Sequence, residues 1–259
     1  MTPAVRVDHD GPVASLILDR PARYNAMSPA MSREMAGALA DLASSDARVL
    51  VVRGEGDAFS AGADLRSLAD DLDLDEPGAI REYVLGWSHN IVALRALPIP
   101  SIAAVRGPAY GGGFSLAIAC DVVIASRTAR FNTQYVNIGI NPDLGASWTL
   151  PRVVTPAIAR YLMLRGNEID GAEAHRIGLA AEVVEDGDTV ARAYELASEI
   201  AGRSVQSIRS IRSLLDGAAV HDLTTAIQHE ADAIATAFLT PQFRAALADF
   251  KQKQEGAPR

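Results

Sequence analysis

The sequence predicts an α/β body of repeated strand, loop and helix units followed by an all-helical tail. Three observations predict it. Short apolar runs, Val49–Val52 and Ile102–Val105, each lead through a glycine-rich loop into a helical pattern, a succession that favours stacked α/β units over a βαβ nucleotide fold. From Thr155 onward the periodicity is helical. Finally, 259 residues with 49% hydrophobic content supply enough apolar surface for a sizeable core, which excludes a disordered chain.

The elements follow in order. Val5 to Asp10, the Asp10-Gly11 turn and Val13 to Leu18 predict a β-hairpin. Ser28-Pro29 supplies an N-cap and a first helical residue, and Met31, Met35, Ala38, Leu39 and Leu42 recur at helical spacing behind it. After the Val49–Val52 strand and the first glycine loop comes an acidic patch, Asp70, Asp71, Asp73, Asp75 and Glu76, expected as a solvated mobile loop. A helix over Ile80 to Leu97 ends at Pro98 and Pro100, and Ile102 to Val105 is a buried strand. The triple glycine Gly111-Gly112-Gly113 opens another helix through Leu116, Ala117 and Ala119, and Val122 to Ala125 returns as strand. Thr155-Pro156, Asp170 with Glu173, and Thr240-Pro241 mark three helix starts in the tail half. Between them Leu196, Ile200, Ile208, Ile211, Leu214, Leu215, Leu223, Ile227 and Ile234 form an apolar periodicity with too little core of its own, which must pack on the body or on another subunit.

Composition excludes several partners. Net charge is −8, the pI is about 5.1, and no Lys/Arg run is present, so nucleic acid is not an expected ligand. No stretch reaches the ~18 uncharged apolar residues of a bilayer span, and the N-terminal residues lack a basic region followed by an apolar one. A single cysteine, Cys120, rules out an internal disulfide and agrees with a reducing, cytoplasmic setting; its apolar neighbours predict a buried structural thiol. No spacing of His, Cys and carboxylates suggests a metal site.

Chemistry concentrates at two loops, Ser60-Ala61-Gly62-Ala63-Asp64-Leu65 and Gly107-Pro108-Ala109-Tyr110-Gly111-Gly112-Gly113. Glycine lets backbone N–H groups approach a ligand, and a helix beginning at the second loop adds the positive end of its dipole. The two loops together can make one anion trap, with two amides aimed at one carbonyl oxygen.

These residues resemble the crotonase, or enoyl-CoA hydratase/isomerase, superfamily over essentially the whole chain. The resemblance is carried by Pro21-Ala22-Arg23-Tyr24-Asn25-Ala26-Met27, Ala58-Phe59 with the first loop, Ser101-Ile102-Ala103-Ala104-Val105 with the second, Cys120-Asp121, Asn141-Pro142-Asp143-Leu144-Gly145, Leu150-Pro151-Arg152, and Gly171-Ala172-Glu173-Ala174 leading to Gly178-Leu179. It implies an α/β fold, a crotonase-like spiral of ββα units over residues 1–195, with a helical trimerisation region over 196–259, assembled as a homotrimer or a dimer of trimers. The implied ligand is an acyl-CoA thioester, with CoA entering as part of the substrate and no tightly bound cofactor. The amides of Ala63 and Gly112 are implied to grip the thioester oxygen. Ala61, Ala63 and Leu65 are implied around adenine and pantetheine, with Asp64 of the same loop also a CoA-binding candidate, Arg23 near the nucleotide phosphates, and Phe250 with Lys253 on a neighbouring subunit's CoA.

One departure from the hydratase pattern decides the expected reaction. A hydratase positions water with two carboxylates, which the family carries two residues after the triple glycine and twenty further on; here those positions read Ser115 and Tyr135. Neither is a carboxylate base, so ordinary hydration is not expected. Asp143 stands eight residues after Tyr135, where non-hydratase branches of the family place a working aspartate. One base suffices to shift a double bond, and Ile138, Ile140, Leu144 and Trp148 are expected to desolvate it and raise its pKa. Asn-Pro-Asp is also good turn and N-cap chemistry. The alternatives are a nucleophilic Asp143, as in aryl-CoA dehalogenases, a decarboxylase with Tyr135 as proton donor, a hydratase, and a non-catalytic acyl-CoA binder. Tyr135 is expected to donate a hydrogen bond to the acyl group or intermediate, and Gln134 and Asn137 to shape the pocket, or each to satisfy local backbone; His89 is expected to be a partly buried, hydrogen-bonded histidine. Asp64 and Asp121 read as structural, and Arg152 and Glu173 as ion-pair braces of the body.

Overall fold

The computed structural model describes residues 3–71, 73 and 75–255. The chain opens with the antiparallel hairpin β1 (Val5–Asp10) and β2 (Val13–Leu18), turned at Gly11 with φ 55°. Helix α1 (Pro29–Ala43) starts where Ser28 Oγ accepts the Met31 amide, and it buries Met31, Met35, Leu39 and Leu42. β3 (Val49–Gly54), α2 (Leu65–Asp71), α3 (Pro77–Ala96) and β4 (Ser101–Val105) complete the first unit. Part of the acidic patch is therefore not a loop: Asp70 and Asp71 belong to α2, and Glu76 caps α3 by accepting the Gly78 amide. Carboxylates next to a helix N-terminus meet the positive end of its dipole, which favours an acidic cap.

The second unit contains β5 (Pro108–Tyr110), α4 (Gly112–Ala119), β6 (Val122–Ser126) and β7 (Arg130–Asn132). It continues through α5 (Ala146–Val153), α6 (Pro156–Arg165), β8 (Ile169–Asp170), α7 (Gly171–Arg176), β9 (Glu182–Val184) and α8 (Thr189–Ala201). The main sheet runs β1-β2-β3-β4-β6-β9, parallel from β2 onward, and a small sheet runs β5-β7-β8. Strands buried on both faces read as continuous apolar runs, which explains β2 and β4, buried throughout. The core joins Leu16, Leu50, Val52, Ala103 and Val105 of the sheet to Met35 and Leu39 of α1 and to Trp87, Ile91 and Leu94 of α3.

Helix α4 is buried from Gly113 to Ala119, so its sequence is apolar on every face. Its last turn leads to Cys120, a buried thiol whose pKa burial pushes up to about 12. Asp121 beside it accepts the Ser101 amide at 2.7 Å and hydroxyl at 3.0 Å, a structural role.

Two compact units divide the chain after Ile200. The expected boundary at 195/196 falls inside α8, which continues to Ala201 and buries Ala193 and Ala197. The unit after Ile200 holds α9 (Val205–Ala218), capped by Ser204, α10 (Leu223–Phe238), capped by Asp222, and α11 (Pro241–Glu255), with Phe238 and Phe243 stacked at 4.3 Å. Leu215, Leu223 and Leu239 are each about 70% exposed or more. Among the described residues, no helix is long and apolar enough to cross a membrane.

Candidate active site

The two glycine loops meet because backbone bonds join them. Ser60 N–H donates to the Pro108 carbonyl and Tyr110 N–H donates to the Ser60 carbonyl, both at 2.9 Å. Ser60, wholly buried, also donates its hydroxyl to the Asn25 carbonyl at 2.9 Å and accepts the Gly62 amide at 3.2 Å. Asn25 anchors this wall in turn. Its φ is 55°, a left-handed conformation that Asn tolerates, and its buried amide donates to the Glu55 and Ala58 carbonyls while accepting the Arg20 amide. Glycine is needed at two positions. A Cβ on Gly62, at φ 83°, would lie 2.5 Å from the Tyr110 oxygen, and one on Gly113 would lie 2.4 Å from the Ser60 oxygen.

Where the loops meet lies a cleft of about 160 Å³, lined by Ala61, Gly62, Ala63, Leu65, Tyr110, Gly111, Gly112, Gln134, Tyr135, Ile138, Ile140 and Asp143. Among the described residues the Ala63 and Gly112 amides have no acceptor. Met27 holds them in place: its amide donates to the Gly62 carbonyl at 2.7 Å, it forms an isolated parallel bridge with Ala63, and its sulfur lies 2.8 Å from where a Gly112 Cβ would be. Sequence spacing gives no sign of this role, because Met27 stands out in the sequence only as the end of the Pro21–Met27 stretch that carries the resemblance.

Side chains make the opposite wall. Gln134, at φ 61°, turns the chain into a short 3₁₀ turn, Tyr135–Ile138, and the Ile140 amide donates back to the Tyr135 carbonyl. Leu144, at φ 50°, and Gly145, at φ 75°, turn it again into α5. The buried Tyr135 donates its hydroxyl to Asp143 Oδ1 at 3.0 Å and lies 2.6 Å from Ser115 Oγ. Ser115 Oγ in turn lies 3.1 Å from the Gly111 carbonyl. Ser115, noted in the sequence only as a missing carboxylate, and Tyr135, expected as a hydrogen-bond or proton donor, thus join the triple glycine to Asp143 through one hydrogen-bonded chain.

Burial raises the Asp143 pKa above the usual carboxylate value, and the Tyr135 hydroxyl pulls it the other way. Burial, with the Asp143 charge beside it, likewise holds the Tyr135 phenol well above its ordinary value. Tyr83 of α3 donates to the Met27 carbonyl, and burial, then the Asp143 and Asp64 charges, push it up to about 12.

Other expected site residues distribute differently. Ala61 and Leu65 line the cleft, Leu65 well exposed. Arg23 is exposed on the turn Pro21–Arg23, whose next residue, Tyr24, accepts the Ala61 amide at 2.9 Å. Asp64 is not a lining residue: its carboxylate turns to Arg20 at 2.8 Å and accepts the Ser67 amide. Burial opposes its charge, but those two hydrogen bonds outweigh burial and hold its pKa low. Phe250 is an exposed residue of α11, and the side chain of Lys253 lies outside the described residues.

Trp148 is not among the residues that line the cleft: the Arg152 guanidinium lies 4.0 Å and that of Arg95 5.2 Å from its ring. Arg152 is therefore a stacking partner rather than an ion-pair brace, because its position one helical turn after Trp148 sets it over the ring. Glu173 does pair, with Arg176 at 2.6 Å, but on the surface. His89 is exposed on α3 rather than partly buried. Asn137 binds the Gly166 carbonyl at 2.7 Å and Gln134 at 3.1 Å, tying down the turn. No cluster of three His, Cys, Asp or Glu among the described residues could hold a metal ion.

Two amides without an acceptor among the described residues line the same small cleft as a partly buried carboxyl, an arrangement able to hold a carbonyl oxygen and to move a proton. Residues 8–257 match the family described as enoyl-CoA hydratase/isomerase, and the chain belongs to that family. A 1,2-epoxyphenylacetyl-CoA isomerase of Escherichia coli strain K12 is 32% identical over 247 residues, 93% of each chain. A short-chain-enoyl-CoA hydratase of Clostridium acetobutylicum is 31% identical over 255 residues, 97% of this chain and 95% of the relative. The crystal structure of an enoyl-CoA hydratase from Polaromonas sp. JS666 superposes with a TM-score of 0.90 at 31% identity, covering 96% of this chain and 97% of that one. The fold is thus the crotonase-like α/β fold that the resemblance implied.

Proposed function

We propose that this enzyme shifts a C=C bond within an enoyl-CoA, with Asp143 carrying the proton and the Ala63 and Gly112 amides holding the thioester oxygen. One observation carries the reading: a single desolvated carboxyl, Asp143, faces the two free amides, while the positions that hold a hydratase's two carboxylates are Ser115 and Tyr135. With the thioester carbonyl between the amides, negative charge developing on its oxygen during proton loss is stabilised, and one such donor contributes ~3 kcal/mol to lowering the barrier. Asp143 then takes a proton from one carbon. The electron pair of that C–H bond moves through the dienolate, and Asp143 returns the proton two carbons along. No water is consumed. Burial suits Asp143 to this work, because a raised pKa makes the carboxylate a stronger base.

On this reading CoA is part of the substrate and no separate cofactor takes part. Arg23, Ala61 and Leu65 lie along one side of the thioester's path, and Asp64 supports the loop through Arg20 instead of touching CoA. The exposed apolar residues of α9 to α11 suit packing against other subunits, for which we propose a trimer, with Phe250 and Lys253 reaching a neighbouring CoA. The partner is an acyl-CoA thioester, with neither nucleic acid nor membrane, and the setting is the cytoplasm.

Incubation of 2- and 3-enoyl-CoA thioesters in D₂O, followed by mass spectrometry and NMR, tests the reading. Deuterium entering the α or γ carbon with bond migration, slowed ~10²–10⁴-fold in Asp143→Asn while thioester binding persists, is the expected outcome. Absence of exchange and product across the panel despite binding would overturn it. In that event a trapped aspartyl ester would favour a nucleophilic Asp143, and binding without chemistry a carrier.

A further inference from the structure

Ser115 and Tyr135 are more than the remains of two lost carboxylates. Three contacts run in series: Asp143 Oδ1 to the Tyr135 hydroxyl at 3.0 Å, that hydroxyl to Ser115 Oγ at 2.6 Å, and Ser115 Oγ to the Gly111 carbonyl at 3.1 Å. The last group belongs to the Gly111–Gly112 peptide, whose other end is the Gly112 N–H lining the cleft. The chain therefore begins at the carboxyl and ends on the back of one of the two free amides.

Hydroxyls have one proton each, so the chain has two directions. With Asp143 ionised, Tyr135 donates to the carboxylate and Ser115 donates to Tyr135 over the shorter of its two contacts. Gly111 then receives only the Ser115 backbone amide, at 3.0 Å. With Asp143 protonated, its O–H can donate to Tyr135, Tyr135 to Ser115, and Ser115 to the Gly111 carbonyl. No O–H bond of Ser115 or Tyr135 breaks, and each hydroxyl only rotates. The extra bond on Gly111 withdraws charge from the carbonyl and makes the Gly112 N–H a better donor, by cooperativity of about 10–30% per bond.

We propose that Ser115 and Tyr135 form a reversible hydrogen-bond relay that strengthens the Gly112 amide when Asp143 holds a proton. The inference rests on the proposed reading for its use: Asp143 is protonated at the moment the substrate oxygen is most negative. Ser115 acts entirely through its neighbours and is a positioning residue.

The groups facing Asp143 leave its titration legible. Tyr135 from the same segment and Tyr83 from α3 are both held high, so neither phenol changes charge where a carboxyl titrates. Asp64, whose charge reaches Tyr83, is held low by Arg20.

The test needs no substrate. The chain contains Gly-Gly pairs only within Gly111-Gly112-Gly113, so protein labelled with carbonyl-¹³C, ¹⁵N-glycine gives just two one-bond carbon–nitrogen correlations, one of them joining Gly111 to Gly112. Its shifts are followed against pH beside the Asp143 carboxyl carbon. The expected result is a Gly111 carbonyl and Gly112 amide that follow the Asp143 curve in the wild type. In Ser115→Ala, and in Tyr135→Phe as a second break of the chain, they stay flat while Asp143 still titrates. A wild-type pair that ignores the Asp143 titration would overturn the relay. So would a pair that follows it equally well in Ser115→Ala, since that response is a field effect through space. Failure of the isomerase reading in D₂O leaves these titrations unchanged, so the two ideas fall separately.

Discussion

The wall formed by the two glycine loops presents backbone amides and is fixed by backbone bonds, Ser60 to Pro108 and Tyr110 to Ser60, whereas the wall from Gln134 to Asp143 presents side chains. The first wall is dry behind its amides, with Ser60, Ala109 and Phe59 fully buried. In the second, Ile138 and Ile140 stand about half exposed, and Gln134 and Leu144 take left-handed conformations usually left to glycine. The difference teaches where geometry and chemistry are each kept. A backbone donor survives any substitution that the loop survives, while the carboxyl opposite, the proposed proton carrier, depends on one side chain.

The largest effect should come from breaking the first wall. Gly62→Ala meets both a φ of 83° and a Cβ contact of 2.5 Å with the Tyr110 oxygen, and it should cost about 2–5 kcal/mol of stability with a loss of turnover of ~10²-fold or more. Urea denaturation and deuterium uptake measure the two; a wild-type denaturation midpoint would show that the loops are less tightly joined than their bonds imply.

On the second wall the expected effect is smaller and of opposite sign. Asp143 has a raised pKa in the folded protein through burial, so its contribution to stability is fully present below the unfolded-state pKa and lost as pH rises through the folded one. At neutral pH the desolvated carboxylate is a net cost. Asp143→Asn should therefore raise the thermal midpoint at pH 7, with the gain shrinking as pH falls into the carboxylate range. A variant less stable than wild type at neutral pH would mean that the Tyr135 bond outweighs burial. Smallest of all, Gln134→Gly relieves a φ of 61° and loses the Asn137 contact, for a net gain of under about 1 kcal/mol. A clear loss in calorimetry would show that side chains hold this turn more firmly than its backbone opposes it.

Legibility in the sequence followed the same division. The hairpin, the Ser28, Thr155 and Asp170 caps and the buried parallel strands carry local signals, and all appear where the sequence predicts them. The strands β5, β7, β8 and β9 have two or three residues each, too few for any periodicity, and β5 lies inside the glycine loop itself. At the cleft, the glycines could be singled out because residue type suggests their chemistry, and Asp143 because the resemblance marks its position. The link through Ser115 and Tyr135 could not, since it joins residues twenty and eight positions apart by hydroxyl geometry. Trp148, close to Asp143 in sequence, does not line the cleft: after the turn at Leu144 and Gly145, α5 sets its indole against Arg152.

Helix α4 lies inside the core with its first turn at the cleft and nearly every later residue buried. A helix so placed cannot tilt or slide without opening packing on all sides, so the amide at its head is held where folding leaves it. Its reorganisation energy is therefore spent during folding, and the dipole at the cleft is aligned before any ligand arrives.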